Sequence, residues 1–131
     1  MIRLNRTGQR PLEFEGREVA SASGKWMAGR ERNRWHEIVV YEAGGKYVVA
    51  VEYHTQWDGE SAHRDAGVFG SVDEVATYLE EYIFPNVATI GYPPTPVYGE
   101  RQARLLADLE AARKTLVTEI LAKLPGAAEK I

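Results

Sequence analysis

Apolar and polar positions alternate most clearly between Asn33 and Trp57, NRWHEIVVYEAGGKYVVAVEYHTQW, where two extended runs meet at Gly44-Gly45. A Gly-Gly pair between β-branched and aromatic runs predicts a tight hairpin, because a primed turn needs positive φ at both central residues. A two-residue loop opposes Ala43 with Lys46 and sets the register outward from there. Ile38, Val40, Val49 and Val51 then share one face, with Tyr47 and Tyr53 at its ends. The other face carries Trp35, Val39, Tyr41, Val48 and His54 around two carboxylates, Glu37 opposite Glu52. The first set is the better core face, since two opposed carboxylates repel and are costly to bury unpaired. A slip of one residue would exchange the faces.

Upstream, Met1 to Asn5 reads as a short edge strand and Gly8-Gln9-Arg10-Pro11 as a turn. Leu12 to Ser23 alternates but changes phase at Gly16, which predicts a glycine bulge or two short strands around Glu15-Gly16-Arg17. Downstream, Asp58 to Asp65 reads as a polar loop and Ala66 to Gly70 as a short strand. Ser71-Val72-Asp73-Glu74 has the form of a capping box, and the helix after it places Val72, Val75, Leu79 and Tyr82 on one side until Pro85 stops it. The prolines of residues 86–98 exclude a regular element there and favour a stiff polyproline path.

Thr95-Pro96 predicts the start of a last helix, and Pro125-Gly126 its end. Leu105, Leu109, Ala112, Leu116, Ile120 and Leu124 repeat at spacings of 3 and 4, with Leu106, Val117 and Leu121 widening the stripe. Glu110–Lys114 and Glu119–Lys123 are i,i+4 pairs for its solvent side. At roughly 40 Å this helix is longer than a small sheet can cover. Leu105, Leu109, Leu116, Ile120 and Leu124 are therefore candidates for contact beyond the sheet, either self-association as a homodimer through the C-terminal helix or docking of a partner there.

The sum is an α+β fold: an antiparallel meander of four to five strands, a short capped helix, and a long C-terminal helix packed on one face. Residues 1–131 are read as one domain, strand-rich and basic over 1–70, helical over 71–124, and frayed over 125–131. The absence of cysteine removes disulfides, thiolate metal sites and cysteine nucleophiles. No apolar run approaches a membrane span and no signal-peptide core is visible, so a cytoplasmic protein with no membrane contact is expected.

Net charge is −3, but it is unevenly spread. Residues 1–35 carry +4 and the remaining residues −7. That changes the candidate chemistry, because a basic arm can meet anions.

Walker, dinucleotide-binding, nucleophile-elbow and H-E-x-x-H motifs are all missing, so no catalytic residue is assigned and an enzyme is the less favoured expectation. Glu37, Glu52 and His54 share one strand face and are candidate ligand or metal residues, with Asp58, Glu60, His63 and Asp65 available to complete a shell. The more ordinary reading pairs the carboxylates with cations and packs His54 on Trp35. Folding is accordingly expected to need no metal and no cofactor.

The denser signal is cations interleaved with aromatics: Lys25, Trp26, Arg30, Arg32, Arg34 and Trp35. Trp and Arg recur at protein-interface hot spots, and aromatics beside guanidinium groups also suit nucleic acid. The favoured expectation is a small non-catalytic binding protein, a regulator, adaptor or inhibitor docking on a protein or nucleoprotein partner. The alternatives are a nucleic-acid module using the basic N-terminal third, and a small hydrolase or ligand binder using the Glu37/Glu52/His54 face.

Overall fold

The computed structural model describes residues 1–24, 34–56, 62–82 and 96–128, and in the last stretch the side chains of Arg104 and of residues 107–128. The order is β1 (Ile2–Arg6), β2 (Gln9–Phe14), β3 (Arg17–Ser23), β4 (Arg34–Ala43), β5 (Lys46–Thr55), β6 (His63–Phe69), α1 (Val72–Glu81) and α2 (Pro96–Lys123). The α+β class stands, with one refinement. The strands form two antiparallel sheets rather than one meander: a β1-β2 ribbon and a four-stranded sheet ordered β3-β4-β5-β6.

The hairpin at the centre has the expected register along its whole described length, from Ala43 opposite Lys46 to Arg34 opposite Thr55. Its turn holds Gly44 at φ +58° and Gly45 at +82°, a conformation in which a side chain would be strained. Ile38, Val40, Val49 and Val51 face the helices and are buried with Val75, Leu79, Leu116, Val117, Ile120 and Leu124.

The phase change at Gly16 separates two strands. A Cβ there would sit 2.5 Å from the Glu42 carbonyl oxygen, so only glycine lets the ribbon pass this close to β4. The first turn falls at Thr7-Gly8 instead of Gly8–Pro11, which frees Gln9, Arg10 and Pro11 to open β2. Within β3 the register shifts between Glu18 and Ala20, leaving Val19 as a bulge.

The ribbon is anchored at opposite corners of the sheet's second face. Phe14 meets Tyr41 edge-on at 5.4 Å, and the Thr7 amide donates to the Arg64 carbonyl at 2.8 Å. Val48 and Ala50, which point to this face between the two anchors, are buried. Thr7 also occupies the outer side of β6, its Oγ1 accepting from the Arg64 amide. At the other border of the sheet, the Lys123 ammonium donates to the Ser21 carbonyl at 2.8 Å. Both sheet borders thus carry contacts from the chain itself, one way in which edge strands are kept from pairing with other molecules.

In α1, Ser71 caps the helix by accepting from the Glu74 amide at 3.2 Å. The Glu74 carboxylate reaches back to the Gly70 amide, one residue earlier than a capping box requires. The 28-residue α2 begins at Pro96, as the Thr95-Pro96 pair implies.

Part of its stripe is used inside the chain. Leu109, Leu116, Ile120 and Leu124 are buried in the chain's own core, so these side chains are not a free face, and the Leu105 side chain lies outside the described residues. None of the described helices is long and apolar enough to cross a membrane.

Ile120 is fully enclosed. Its truncation, Ile120→Ala, is expected to cost about 2–5 kcal/mol through lost transfer energy and the cavity left behind. Urea unfolding checks this; a loss below about 1 kcal/mol would mean that α2 is not seated on the sheet through this residue.

Candidate functional site

The end of the sheet away from Gly44-Gly45 is formed by the last residue of β3, the first residues of β4, the last of β5 and the first of β6. Alternation deals the side chains there onto two faces, and each face carries polar chemistry.

On the face away from the helices, Glu37 stands opposite Glu52 and Trp35 opposite His54. His54 Nε2 lies 3.0 Å from Glu52 Oε2 and 3.3 Å from Glu37 Oε2. The other oxygen of each carboxylate is engaged outside this trio. Glu37 Oε1 accepts from Ser23 Oγ at 3.0 Å and from Trp35 Nε1 at 3.2 Å, while Arg64 Nε stands 3.8 Å from Glu52 Oε1. The His54 ring lies nearly parallel to Trp35, with centroids 5.3 Å apart and planes 19° apart. All three members of the trio are half-buried, and one donor atom from each lies within 4.8 Å of the others.

The face toward the helices holds a second cluster that the pattern of the chain did not bring forward. Arg113, 4% exposed, sits within the apolar stripe of α2. It donates to the Leu79 carbonyl at 3.1 Å, near the C-terminal end of α1, and pairs with Glu110 one turn back. That hydrogen bond, before any other cause, holds the Glu110 carboxyl below its usual range. A buried arginine is tolerable only when its donors are used in this way. The spacing Leu109–Arg113–Val117 contained the clue, since 113 lies one turn from two apolar positions.

Beside Arg113, His36 is buried and packs on Tyr53 with ring centroids 5.5 Å apart. At the β6 border, Asp65 accepts from the Tyr82 hydroxyl and lies 3.2 Å from His63 Nε2. Burial first, and then this bond to Asp65, push the Tyr82 hydroxyl pKa upward.

The residues predicted from the chain are therefore brought together only in part. Glu37, Glu52 and His54 converge. His54 packs on Trp35 as the ordinary reading supposed, and Glu52 finds its cation on the following strand rather than the preceding one. His63 and Asp65 do not complete the trio: β6 begins at His63, earlier than the loop reading allowed, and register with Tyr53 and Val51 turns both onto the helix-facing side. Asp58 and Glu60 lie outside the described residues, as do Lys25, Trp26, Arg30 and Arg32. Of the basic aromatic stretch, Arg34 and Trp35 are described, both half-buried at the start of β4. Comparison with known proteins yields no match to a family model, a curated protein or a solved structure.

Burial, and after it the nearby Arg113 guanidinium, lower the His36 pKa from 6.5 to about 4; Glu110 opposes this weakly and His54 adds to it. Between these two values the unfolded chain binds a proton that the folded chain refuses, so stability is present above pH 6.5 and is lost as pH falls toward 4. At about 1.4 kcal/mol per pH unit between the two values, the loss approaches roughly 3 kcal/mol. Urea unfolding at pH 7 and pH 4.5 should show a larger drop in the wild type than in His36→Leu. Equal drops would mean that His36 is not held neutral in the fold.

Proposed function

We propose that the protein is a small non-catalytic binding domain, a regulator, adaptor or inhibitor that docks a macromolecular partner at the end of its four-stranded sheet away from Gly44-Gly45. The observation that supports this reading is the distribution of side chains after folding has used the rest. Both lateral borders of the sheet are occupied by Thr7 and Lys123, and the described part of the α2 stripe is in the core. At the end away from Gly44-Gly45, Trp35, Glu37, Glu52 and His54 are held in one half-buried patch.

The patch continues in the chain into residues 25–33, which carry Lys25, Trp26, Arg30 and Arg32. A rigid aromatic flanked by arginine and fixed carboxylates is the composition from which interface hot spots are built. Its mixed charge favours a protein over a nucleic acid, whose phosphates Glu37 and Glu52 would repel.

Affinity capture from source-cell lysate, with and without nuclease, tests the proposal. Wild type should retain a defined set of proteins after nuclease treatment. A variant combining Trp35→Ala, Arg34→Ala and Trp26→Ala, verified as folded by circular dichroism, should lose about tenfold or more of that binding. An unchanged capture would end the reading. Capture abolished by nuclease and by modest salt would instead place the protein among nucleic-acid binders.

A further inference from the structure

We propose that Glu37, Glu52 and His54 bind a divalent transition-metal ion of the zinc type. This goes beyond partner docking and does not depend on it, since an ion can occupy the trio whether or not a macromolecule covers the same end of the sheet.

The spacing of the donor atoms is the first ground. Ligands about 2.0–2.2 Å from a metal in tetrahedral or octahedral geometry stand roughly 3.0–3.5 Å from one another. His54 Nε2 lies 3.0 Å from one carboxylate oxygen and 3.3 Å from the other. The nitrogen is thus already at ligand-to-ligand distance from both oxygens, and one donor atom from each of the three residues lies within 4.8 Å of the others.

The second ground is the unused nitrogen. His54 Nε2 is shielded from solvent and, among the described residues, makes a hydrogen bond to nothing, although both oxygens are within 3.3 Å. A shielded imidazole nitrogen left without a hydrogen bond beside two carboxylate oxygens is a donor set that a bound cation would complete.

The surroundings hold each ligand from behind. Ser23 Oγ and Trp35 Nε1 both bind Glu37 Oε1, leaving Oε2 turned to the shared point. Arg64 flanks Glu52 Oε1 and leaves its Oε2 likewise. Trp35 stacks on His54 and sets the ring plane. Such outer contacts orient metal ligands and sustain affinity. Charge agrees as well: Glu37 and Glu52 stand opposite each other, and opposed like charges on paired strands are unfavourable until a cation lies between them.

One imidazole with two carboxylates suits Zn²⁺, Co²⁺, Ni²⁺ or Mn²⁺ better than Ca²⁺ or Mg²⁺, which prefer shells of oxygen alone. Three protein ligands leave coordination positions open to water or to a further ligand.

The test is calorimetric titration of ZnCl₂ into the chelator-treated, dialysed full chain. One ion per chain at micromolar affinity or tighter is expected. Glu37→Gln, Glu52→Gln and His54→Gln should each weaken binding more than about tenfold, whereas His63→Gln, on the opposite face, should leave it unchanged. Absence of binding by the wild type, or a folded His54→Gln that binds as well as wild type, overturns the proposal. Should the three variants fail to fold, Co²⁺ titration of the wild type followed by amide NMR decides. Paramagnetic effects centred on residues 37, 52 and 54 support the site, and effects centred on His63 and Asp65 or elsewhere overturn it. Failure of the ion to bind leaves partner capture untouched, and failure of capture leaves the ion site untouched.

Discussion

The register of one hairpin is the constraint on which the rest depends. Side chains alternate strictly along a strand, so the parity of the β4-β5 pairing decides which residues meet the helices and which meet the ribbon. With Gly44-Gly45 as a two-residue turn, Val40 opposes Val49 and Ile38 opposes Val51, giving the helices a continuous β-branched surface. The same parity sets Glu37 against Glu52 and Trp35 beside His54 on the reverse side. Core and candidate site are thus products of a single choice. At about 25 cal/mol per Å² of apolar burial, turning one strand's half of the core patch outward through a one-residue slip would cost several kcal/mol, and the slip would carry one of the two carboxylates onto the helix-facing side instead. Both penalties act against the slipped form.

The helices and the ribbon then close what a lone sheet leaves open. One helix stripe covers the β-branched face, and its last turns reach far enough for Lys123 to occupy the Ser21 carbonyl on the free side of β3. The ribbon crosses the reverse face from Tyr41 to Arg64 and occupies the free side of β6. Arg113 links the layers, bonding to the Leu79 carbonyl of α1 and adding to the burial that lowers the proton affinity of His36 on β4. A cation in this interior position is retained by its pairing with Glu110, since removing one partner of a buried pair leaves an uncompensated charge.

Much of this was legible in the chain, and the parts that were not have physical reasons. Short-range chemistry was readable: the turn glycines, the Ser71 cap, the Pro96 start of α2 and the apolar stripes each depend on a few adjacent residues. The Glu37/Glu52/His54 trio was readable because one register places all three. Longer-range packing was not readable. The ribbon's departure into its own sheet follows from the close passage of Gly16 against Glu42, which only the fold reveals. The stripe of α2 suggested a second molecule because its length exceeds that of a small sheet. Its Leu116, Val117, Ile120 and Leu124 are instead sheltered by the sheet together with α1. Polar residues in β6 suggested a loop, yet His63 and Asp65 pair in register with β5, where tertiary context overrides weak strand propensity. Arg113 was passed over because a cation in an apolar stripe reads as surface until its partners are known.

The central claim, that one hairpin register creates both faces, is tested most directly by cross-strand proton contacts in NMR spectra. A two-residue turn makes Val40/Val49, Ile38/Val51 and His36/Tyr53 the closely spaced pairs without mutual hydrogen bonds, whose Cα atoms approach to about 4.5 Å. The account predicts strong Hα–Hα contacts within these three pairs. Strong contacts displaced by one residue, such as Ile38 to Ala50, would contradict it, because the β-branched patch and the carboxylate–histidine trio would then each be split between the two faces.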